Sequence, residues 1–175
     1  HLRGGGGGRA VCARPGLGRA GADRGGNVDV AMMVGVARVR GVLATRHIAV
    51  RDGACALNAG EIVRATVLAA RALVTQFGVG RARVAVAGLN PHAGESGRFG
   101  DEEGRVVVPA IQQARAHLER EGVPAVVSGP YPPDAVFRQA VLGDVDAVVA
   151  LYHAQGWIPL TLLHFDEAVN FTLVL

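Results

Sequence analysis

The stretch Gly88–Gly100, GLNPHAGESGRFG, lies between an alternating apolar run, Arg83–Ala87, and an acidic segment, Asp101–Glu103. This order predicts a loop that leaves the end of a strand and enters a helix, which is where α/β proteins bind their ligands. The loop carries an imidazole, His92, a carboxylate, Glu95, and glycines that allow the backbone to approach a ligand closely. It is therefore the first candidate for a functional site.

Strand and helix signals alternate on both sides of this loop. One helix is predicted to begin after Asn58, a good N-cap with Glu61 three residues on, and to end at Gly78. Another is predicted from the acidic segment to Gly122. The remaining predictions are strands over Val39–Thr45, Arg83–Leu89, Ala125–Val127 and Asp146–Leu151, a loop over 128–134, a short helix near Ala135–Ala140, and extended segments over Ile158–Leu163 and Val169–Leu175.

The alternation predicts an α/β fold, three-layer α/β/α with a largely parallel sheet. Val28–Val36 is apolar but too short to assign as helix or strand. Gly41 inside the first predicted strand indicates a bulge. Residues 1–26, with ten glycines and no hydrophobic periodicity, are expected to be a disordered Gly/Arg-rich leader, and residues 27–175 to be a partial domain.

Composition narrows the class of protein. Apolar residues make up 50% and aromatic residues only 5%, which predicts a core of Val, Ala and Leu. No apolar run approaches the roughly 20 residues of a membrane span, and the start has no signal-peptide pattern. Because Cys12 and Cys55 have neither metal-type spacing nor the number that a disulfide framework needs, we expect a cytoplasmic protein without a membrane partner.

Charge argues against nucleic acid as a partner. The first 26 residues carry five Arg against one Asp, so the rest of the chain has a net charge of about −1 out of the total of +3. The remainder shows no basic face with interleaved aromatic residues, which nucleic-acid-binding domains have. All 18 basic residues are Arg, so this chain supplies no catalytic lysine.

Three histidines follow predicted strands, namely His47, His92 and His153. In a parallel sheet those strand ends share one edge, and three neutral imidazoles with one open position are typical of a catalytic zinc site. The alternative is that each histidine caps its own loop by hydrogen bonding. The roles of two further residues also have two interpretations. Asp134 either orients a ligand or caps the following helix. Asn170 either contacts a ligand or marks a bulge in an apolar strand.

Four segments of the chain together resemble the 4-hydroxythreonine-4-phosphate dehydrogenases of vitamin B6 synthesis, a family that includes dehydrogenases of four-carbon sugar-acid phosphates. These segments are GLNPHAGESGRFGDEE, ATRHIAVRD, LYHAQGWIPL and VNFTL, and the resemblance runs from about Asp29 to Leu175. It implies a two-domain α/β/α enzyme, here incomplete, that works as a homodimer with its site in a cleft.

The resemblance also implies the chemistry. A divalent metal, zinc with magnesium or cobalt as alternatives, would be bound by His47, His92 and His153, with ligands from both subunits. NAD would take a hydride from the secondary alcohol of a phosphorylated hydroxy acid such as 4-phosphohydroxy-L-threonine. The resulting 3-keto acid would then lose carbon dioxide.

The chain departs from the family pattern at two positions. Ala154 stands where the family usually has Asp after the third histidine, and Thr161 stands where the family has a substrate-binding Lys. Asp134 and Asn170 match the family's catalytic Asp and its substrate-contacting Asn. The next family motif lies beyond Leu175, so this polypeptide alone is not expected to turn over.

Two function classes therefore remain. The first is a truncated copy of a metal- and NAD-dependent dehydrogenase. The second is a decayed or truncated non-catalytic paralogue that keeps metal binding and dimerisation, which Ala154 and Thr161 favour. A metallohydrolase is permitted by three histidines at strand ends, but the family resemblance argues against it.

Overall fold

The computed structural model describes residues 30–36, 39–45, 47–164 and 168–174, so the predicted leader, residues 1–26, lies outside the described part. The strands are β1 (Val30–Val36), β2 (Val39–Leu43), β3 (Ala82–Ala87), β4 (Ala125–Tyr131), β5 (Ala147–Ala150) and β6 (Val169–Val174). The helices are α1 (Val50–Ala56), α2 (Ala59–Thr75), α3 (Val108–Arg120), α4 (Pro133–Leu142) and α5 (His153–His164). None of the helices in these ranges is long and apolar enough to cross a membrane.

The described strands form one mixed sheet in the order β4-β3-β5-β2-β1-β6. β4, β3, β5 and β2 run parallel, whereas β1 is antiparallel to both of its neighbours, β2 and β6. The predicted largely parallel sheet is confirmed, and β1 lies in the apolar stretch that the sequence left unassigned.

Helices cover both faces of the sheet, because strand side chains alternate between two cores. Val84 and Val86 belong to the core that contains α2 and α3. Ala85 and Ala87 belong to the core that contains α4 and Leu160 of α5. The three-layer α/β/α architecture is thereby confirmed, with the predicted Val, Ala and Leu core.

The α2 helix begins where its cap predicts. The Glu61 amide donates to Asn58 Oδ1 at 3.0 Å, which satisfies one of the free N–H groups of the first turn. Ile62, Thr66 and Leu73 are fully buried on the predicted face. This helix therefore fixes one layer of the fold against the sheet.

The prediction of an extended segment over Ile158–Leu163 is wrong, because these residues lie in α5. A short apolar run does not distinguish a strand from a buried helix by periodicity, and α5 accommodates Pro159 in its interior. In the helix Leu160 is buried whereas Ile158 and Leu162 are exposed.

The bulge that Gly41 indicated is also absent from the described sheet. Gly41 pairs regularly with Val34 on one side and Val148 on the other. A Cβ at this position would lie 2.6 Å from Leu160 Cδ1. The glycine is needed because α5 approaches β2 closely at this point.

The predicted loop over 128–134 is wrong in its first half. β4 continues from Val127 through Tyr131, and it pairs with β3 at Ser128↔Ala85 and Tyr131↔Ala87, with an irregularity between them. Gly129 and Pro130 are residue types typical of turns, which is why the sequence predicted a loop here. β4 is the outermost strand on its side of the described sheet, and a proline is tolerated in an edge strand because its missing N–H can face outward.

At the edge where the parallel strands begin, β3 and β5 are joined by an ion pair. Arg83 Nη2 donates to Asp146 Oδ1 at 2.7 Å, and the Arg83 amide donates to Asp146 Oδ2 at 2.8 Å. Burial alone would raise the pKa of Asp146, but the hydrogen bonds and charge of Arg83 outweigh it and hold that pKa below its ordinary value. We term this end of the sheet, where β3 and β5 begin, the entry edge. The opposite end, where β2, β3 and β5 terminate, is the exit edge.

Candidate active site at the exit edge

Two of the three predicted histidines meet at the exit edge. His47 follows β2, and His153 is the first residue of α5, just after β5. Their ring centroids lie 5.6 Å apart with the ring planes at 78°, and both side chains are exposed. Because β2 and β5 are adjacent parallel strands, their ends deliver the two rings to one place.

The third histidine is held differently. His92 follows β3 in a short helical segment, Pro91–Gly97, and its ring lies 6.0 Å from that of Phe99. Across the described ranges, no group of three or more His, Cys, Asp or Glu side chains is placed to hold a metal ion. Among the described residues of one chain, His47 and His153 could supply two nitrogen ligands, and a metal ion held there would need further ligands from outside this pair.

The segment around His92 has an unusual backbone. Its φ angles are positive at six successive residues, namely His92 (53°), Ala93 (53°), Gly94 (78°), Glu95 (41°), Ser96 (58°) and Gly97 (92°). A left-handed conformation costs roughly 1–2 kcal/mol for each non-glycine residue. Such a segment persists only where its surroundings hold it.

The buried side chain of Glu103 holds the residues that lead into this segment. Its side chain is only 5% exposed, and Oε1 accepts hydrogen bonds from the amides of Leu89 (2.8 Å) and Asn90 (2.7 Å). Oε2 accepts from Asn90 Nδ2 at 3.0 Å. Three N–H donors therefore stabilise a buried carboxylate that makes no ion pair with any described residue.

The role of Glu103 was not predicted above, although the sequence carries a signal for it. Glu103 begins a turn of π-helix, Glu103–Val107, that leads into α3. Val107, Ile111 and Leu118 are buried at helical spacing from it, so the same face of the helix carries the carboxylate into the core. An acidic residue in phase with a buried apolar face indicates a partner in the interior.

Gln155 was missed as well. Its side chain is 7% exposed, Oε1 accepts from the Leu151 amide at 2.6 Å, and Nε2 donates to the Gly88 carbonyl at 2.8 Å. The buried Thr45 hydroxyl donates to the Leu151 carbonyl at 2.6 Å. Side-chain hydrogen bonds thus connect the exit ends of β2, β5 and β3.

Asp134 lines a cavity of about 330 Å³ together with Tyr152 and Ala154, the two chain neighbours of His153. It is the second residue of α4, whose N-cap position is held by Pro132, so Asp134 does not serve as the cap that the sequence left open. Ala154 and Gln155 line the same cavity. The full lining is Pro133, Asp134, Phe137, Tyr152, Ala154, Gln155, Ile158, Pro159 and Leu162.

The two predicted substrate contacts are not gathered with the histidines. The Thr161 hydroxyl donates to the Trp157 carbonyl within α5 at 2.8 Å. Asn170 is exposed on β6 and pairs with Val34, the residue that also pairs with Gly41 of β2. It therefore lies two strands from β2 and level with the middle of that strand, away from its exit end.

Comparison with known proteins gives one family. Residues 10–175 match the family model of the pyridoxal phosphate biosynthetic protein PdxA. The 4-hydroxythreonine-4-phosphate dehydrogenase of Desulfosudis oleivorans is 49% identical over 150 residues, which are 86% of this chain and 43% of that protein. The D-threonate 4-phosphate dehydrogenase of Salmonella typhimurium is 44% identical over 144 residues, with 82% and 42% covered.

A solved structure shares the architecture. The crystal structure of 4-hydroxythreonine-4-phosphate dehydrogenase from Klebsiella pneumoniae superposes with a TM-score of 0.72 at 44% identity, and the match covers 81% of this chain and 42% of that one. The present chain thus spans less than half the length of the relatives that it matches.

Proposed function

The chain belongs to the family of the pyridoxal phosphate biosynthetic protein PdxA, and from this premise we propose that it is part of an oxidoreductase acting on a phosphorylated hydroxy acid. The observation that carries the proposal is the family match over residues 10–175. Relatives named as dehydrogenases of 4-hydroxythreonine 4-phosphate and of D-threonate 4-phosphate support this substrate class.

The proposed reaction oxidises a secondary alcohol to a ketone, which removes a hydride and a proton. NAD is the proposed hydride acceptor, since the oxidation needs a two-electron acceptor. Oxidation at the carbon β to the carboxylate gives a 3-keto acid, and this can lose carbon dioxide. A divalent metal, zinc with magnesium or cobalt as alternatives, would supply Lewis acidity at the alcohol oxygen.

His47, His92 and His153 are the proposed ligands of that metal in a homodimer. The 5.6 Å separation of the His47 and His153 rings supports two of these assignments. Because His92 does not join them within the chain, the proposal draws the ligand set from both subunits, as the family resemblance implies.

Asp134 is the proposed acid–base group. Its carboxylate lines the cavity beside α5, which supports a role as acceptor of the proton that leaves the alcohol. Thr161 and Asn170 are proposed to contact the substrate. Since the Thr161 hydroxyl already donates to a backbone carbonyl, it would offer the substrate an acceptor lone pair rather than a donor.

The proposed compartment is the cytoplasm, because NAD and phosphorylated acids are charged and do not cross membranes unaided. The proposed partners are the small phosphorylated acid and a second subunit. Neither a nucleic acid nor a membrane is part of the proposal.

One observation favours a second candidate, a non-catalytic paralogue that keeps metal binding and dimerisation. Ala154 lines the cavity together with Asp134, at the position where the family pattern has a carboxylate. With one carboxylate fewer beside the substrate, proton transfer and substrate positioning weaken.

The experiment that tests both candidates combines metal analysis with NADH formation. The full-length protein, of which this chain is proposed to be a part, is purified and assayed for bound metal and for NADH absorbance with 4-phosphohydroxy-L-threonine and with D-threonate 4-phosphate. His47→Ala, His92→Ala and His153→Ala are compared with His117→Ala, which alters a surface histidine on α3 that pairs with Glu121.

Metal-dependent NADH formation that only the first three variants lose would support the dehydrogenase. Metal binding without NADH formation would support the paralogue. Metal content that is unchanged in all three variants would overturn the ligand assignment.

A further inference from the structure

We propose that Gln155 is a positioning residue of the metal site: its buried amide holds the exit ends of β3 and β5 together, and thereby fixes the geometry of the histidines that follow them. The inference rests on the proposed metal site. It concerns a residue that touches neither metal nor substrate and acts through the backbone.

Both polar atoms of the Gln155 side-chain amide form hydrogen bonds. Oε1 accepts from the Leu151 amide directly after β5, and Nε2 donates to the Gly88 carbonyl directly after β3. Gln155 lies on α5 two residues after His153. One side chain thus joins the helix that carries one histidine to the strand that leads to another, His92.

The same hydrogen-bond chain continues in both directions. On one side, the Leu151 carbonyl accepts from the Thr45 hydroxyl, two residues before His47. On the other side, Gly88 precedes the two amides that donate to Glu103. All three histidine-bearing segments are therefore connected through buried polar groups, and such networks rigidify what they join.

An amide suits this position because it offers an acceptor at one atom and a donor at the other without carrying charge. A glutamate would direct an oxygen at the Gly88 carbonyl, and a leucine of similar size would leave both backbone groups without their partners. The register of β3 and β5 does not need the amide, because Val84↔Ala147 and Val86↔Val149 already pair within the sheet. What Gln155 adds is the position of the chain where it leaves the strands.

The test is cobalt binding by the purified protein and its variants. Co²⁺ is titrated against wild type, Gln155→Leu and Gln155→Glu, with Gln112→Leu as the matched control on the exposed face of α3. The absorption spectrum of bound Co²⁺ reports ligand geometry, and urea unfolding reports stability separately. We expect Gln155→Leu to weaken Co²⁺ binding roughly 10- to 100-fold and to change the spectrum, as loss of a group that orients metal ligands does.

The outcomes separate the two proposals. The positioning role would be overturned if Gln155→Leu bound Co²⁺ with the same affinity and the same spectrum as wild type, even if that variant is less stable. No Co²⁺ binding by wild type would overturn the metal site itself. If Gln155→Leu does not fold, Thr45→Val tests the same network from its other end, where a weaker Co²⁺ affinity supports the proposal and an unchanged one contradicts it.

Discussion

At the entry edge of the sheet, β3 and β5 are joined by the ion pair of Arg83 and Asp146, whereas at the exit edge they are joined by the neutral amide of Gln155. The Arg83 side chain is 46% exposed, so water and salt weaken that pair. The amide of Gln155 is buried, and its hydrogen bonds have no water to replace them.

This difference has a chemical consequence. Groups that connect the strands at the exit edge, namely Gln155 and the Thr45 hydroxyl, bring no positive charge to the histidines. An arginine in the same role would repel a divalent cation. The molecule therefore uses an ion pair where no ligand is proposed, and hydrogen bonds that bring no cation where the proposed metal would bind.

The largest effect expected from breaking the exit edge is that of Glu103→Leu. The change leaves the Leu89 and Asn90 amides without their acceptor and releases the left-handed segment that follows them. We expect the free energy of unfolding to fall by about 3–5 kcal/mol in urea titrations. Glu119→Leu, on the exposed face of α3, serves as the control. Equal losses in the two variants would show that the loop holds without the buried carboxylate.

The second change, Gly94→Ala, tests how tightly Glu103 is packed beneath the loop. A Cβ on Gly94 would lie 2.6 Å from Glu103 Oε2, and φ is +78°, so both sterics and backbone oppose the substitution. The expected loss is about 2–3 kcal/mol. Gly97→Ala has a similar φ of +92° but open space around the new Cβ, so about 1 kcal/mol is expected there. If thermal unfolding gives the same loss for both, the contact with Glu103 carries no energy.

Several features of this exit edge were accessible from the sequence. Asn58 and Glu61 predicted the start of α2, and the alternation of strand and helix signals predicted a largely parallel sheet. Parallel topology then brings the ends of β2 and β5 together, which is why His47 and His153 meet. These features follow from local signals and one general rule of sheet architecture.

Other features depend on tertiary contacts that no local pattern records. The antiparallel β1 is placed by β2 and β6, and β6 lies far along the chain. Gln155 acts on two backbone groups, one of them in a segment 67 residues away, so its role has no sequence signature. The helix over Ile158–Leu163 is decided by the packing of Leu160 against the sheet rather than by periodicity.

A smaller effect is expected for Thr45→Val, which removes the hydroxyl that donates to the Leu151 carbonyl while keeping the shape of the side chain. Because the group is buried, the loss should be about 1 kcal/mol. Thr75→Val is the control, since the Thr75 hydroxyl makes the corresponding bond to the Arg71 carbonyl on an exposed helix surface. Chemical denaturation of both variants should show the loss only at Thr45, and a neutral Thr45→Val would weaken the case for a connected network.

The smallest effect is expected at the entry edge, for Asp146→Asn. Since Arg83 is half-exposed, the loss at neutral pH should be only about 0.5–1 kcal/mol. The pKa of Asp146 is lowered in the folded state, so its contribution is present above the unfolded pKa, about 3.9, and is lost as pH falls through the folded value. Wild type and variant should therefore converge in stability at low pH.

Asp101→Asn is the control for this prediction, because Asp101 pairs with Arg105 and both side chains are more exposed than those of Arg83 and Asp146. A difference between wild type and Asp146→Asn that persists unchanged at the lowest pH would show that the carboxylate charge is not what matters. A loss as large as that of Glu103→Leu would remove the contrast between the two edges.

The pairing of β1 with β6 has a consequence for synthesis of the protein. Val30 lies opposite Val174, so one side of β1 stays unpaired until the ribosome has synthesised β6. At about 5–20 residues per second this delay is on the order of ten seconds, during which an apolar strand edge stays open. Slower translation would lengthen the period in which this unpaired strand edge can aggregate.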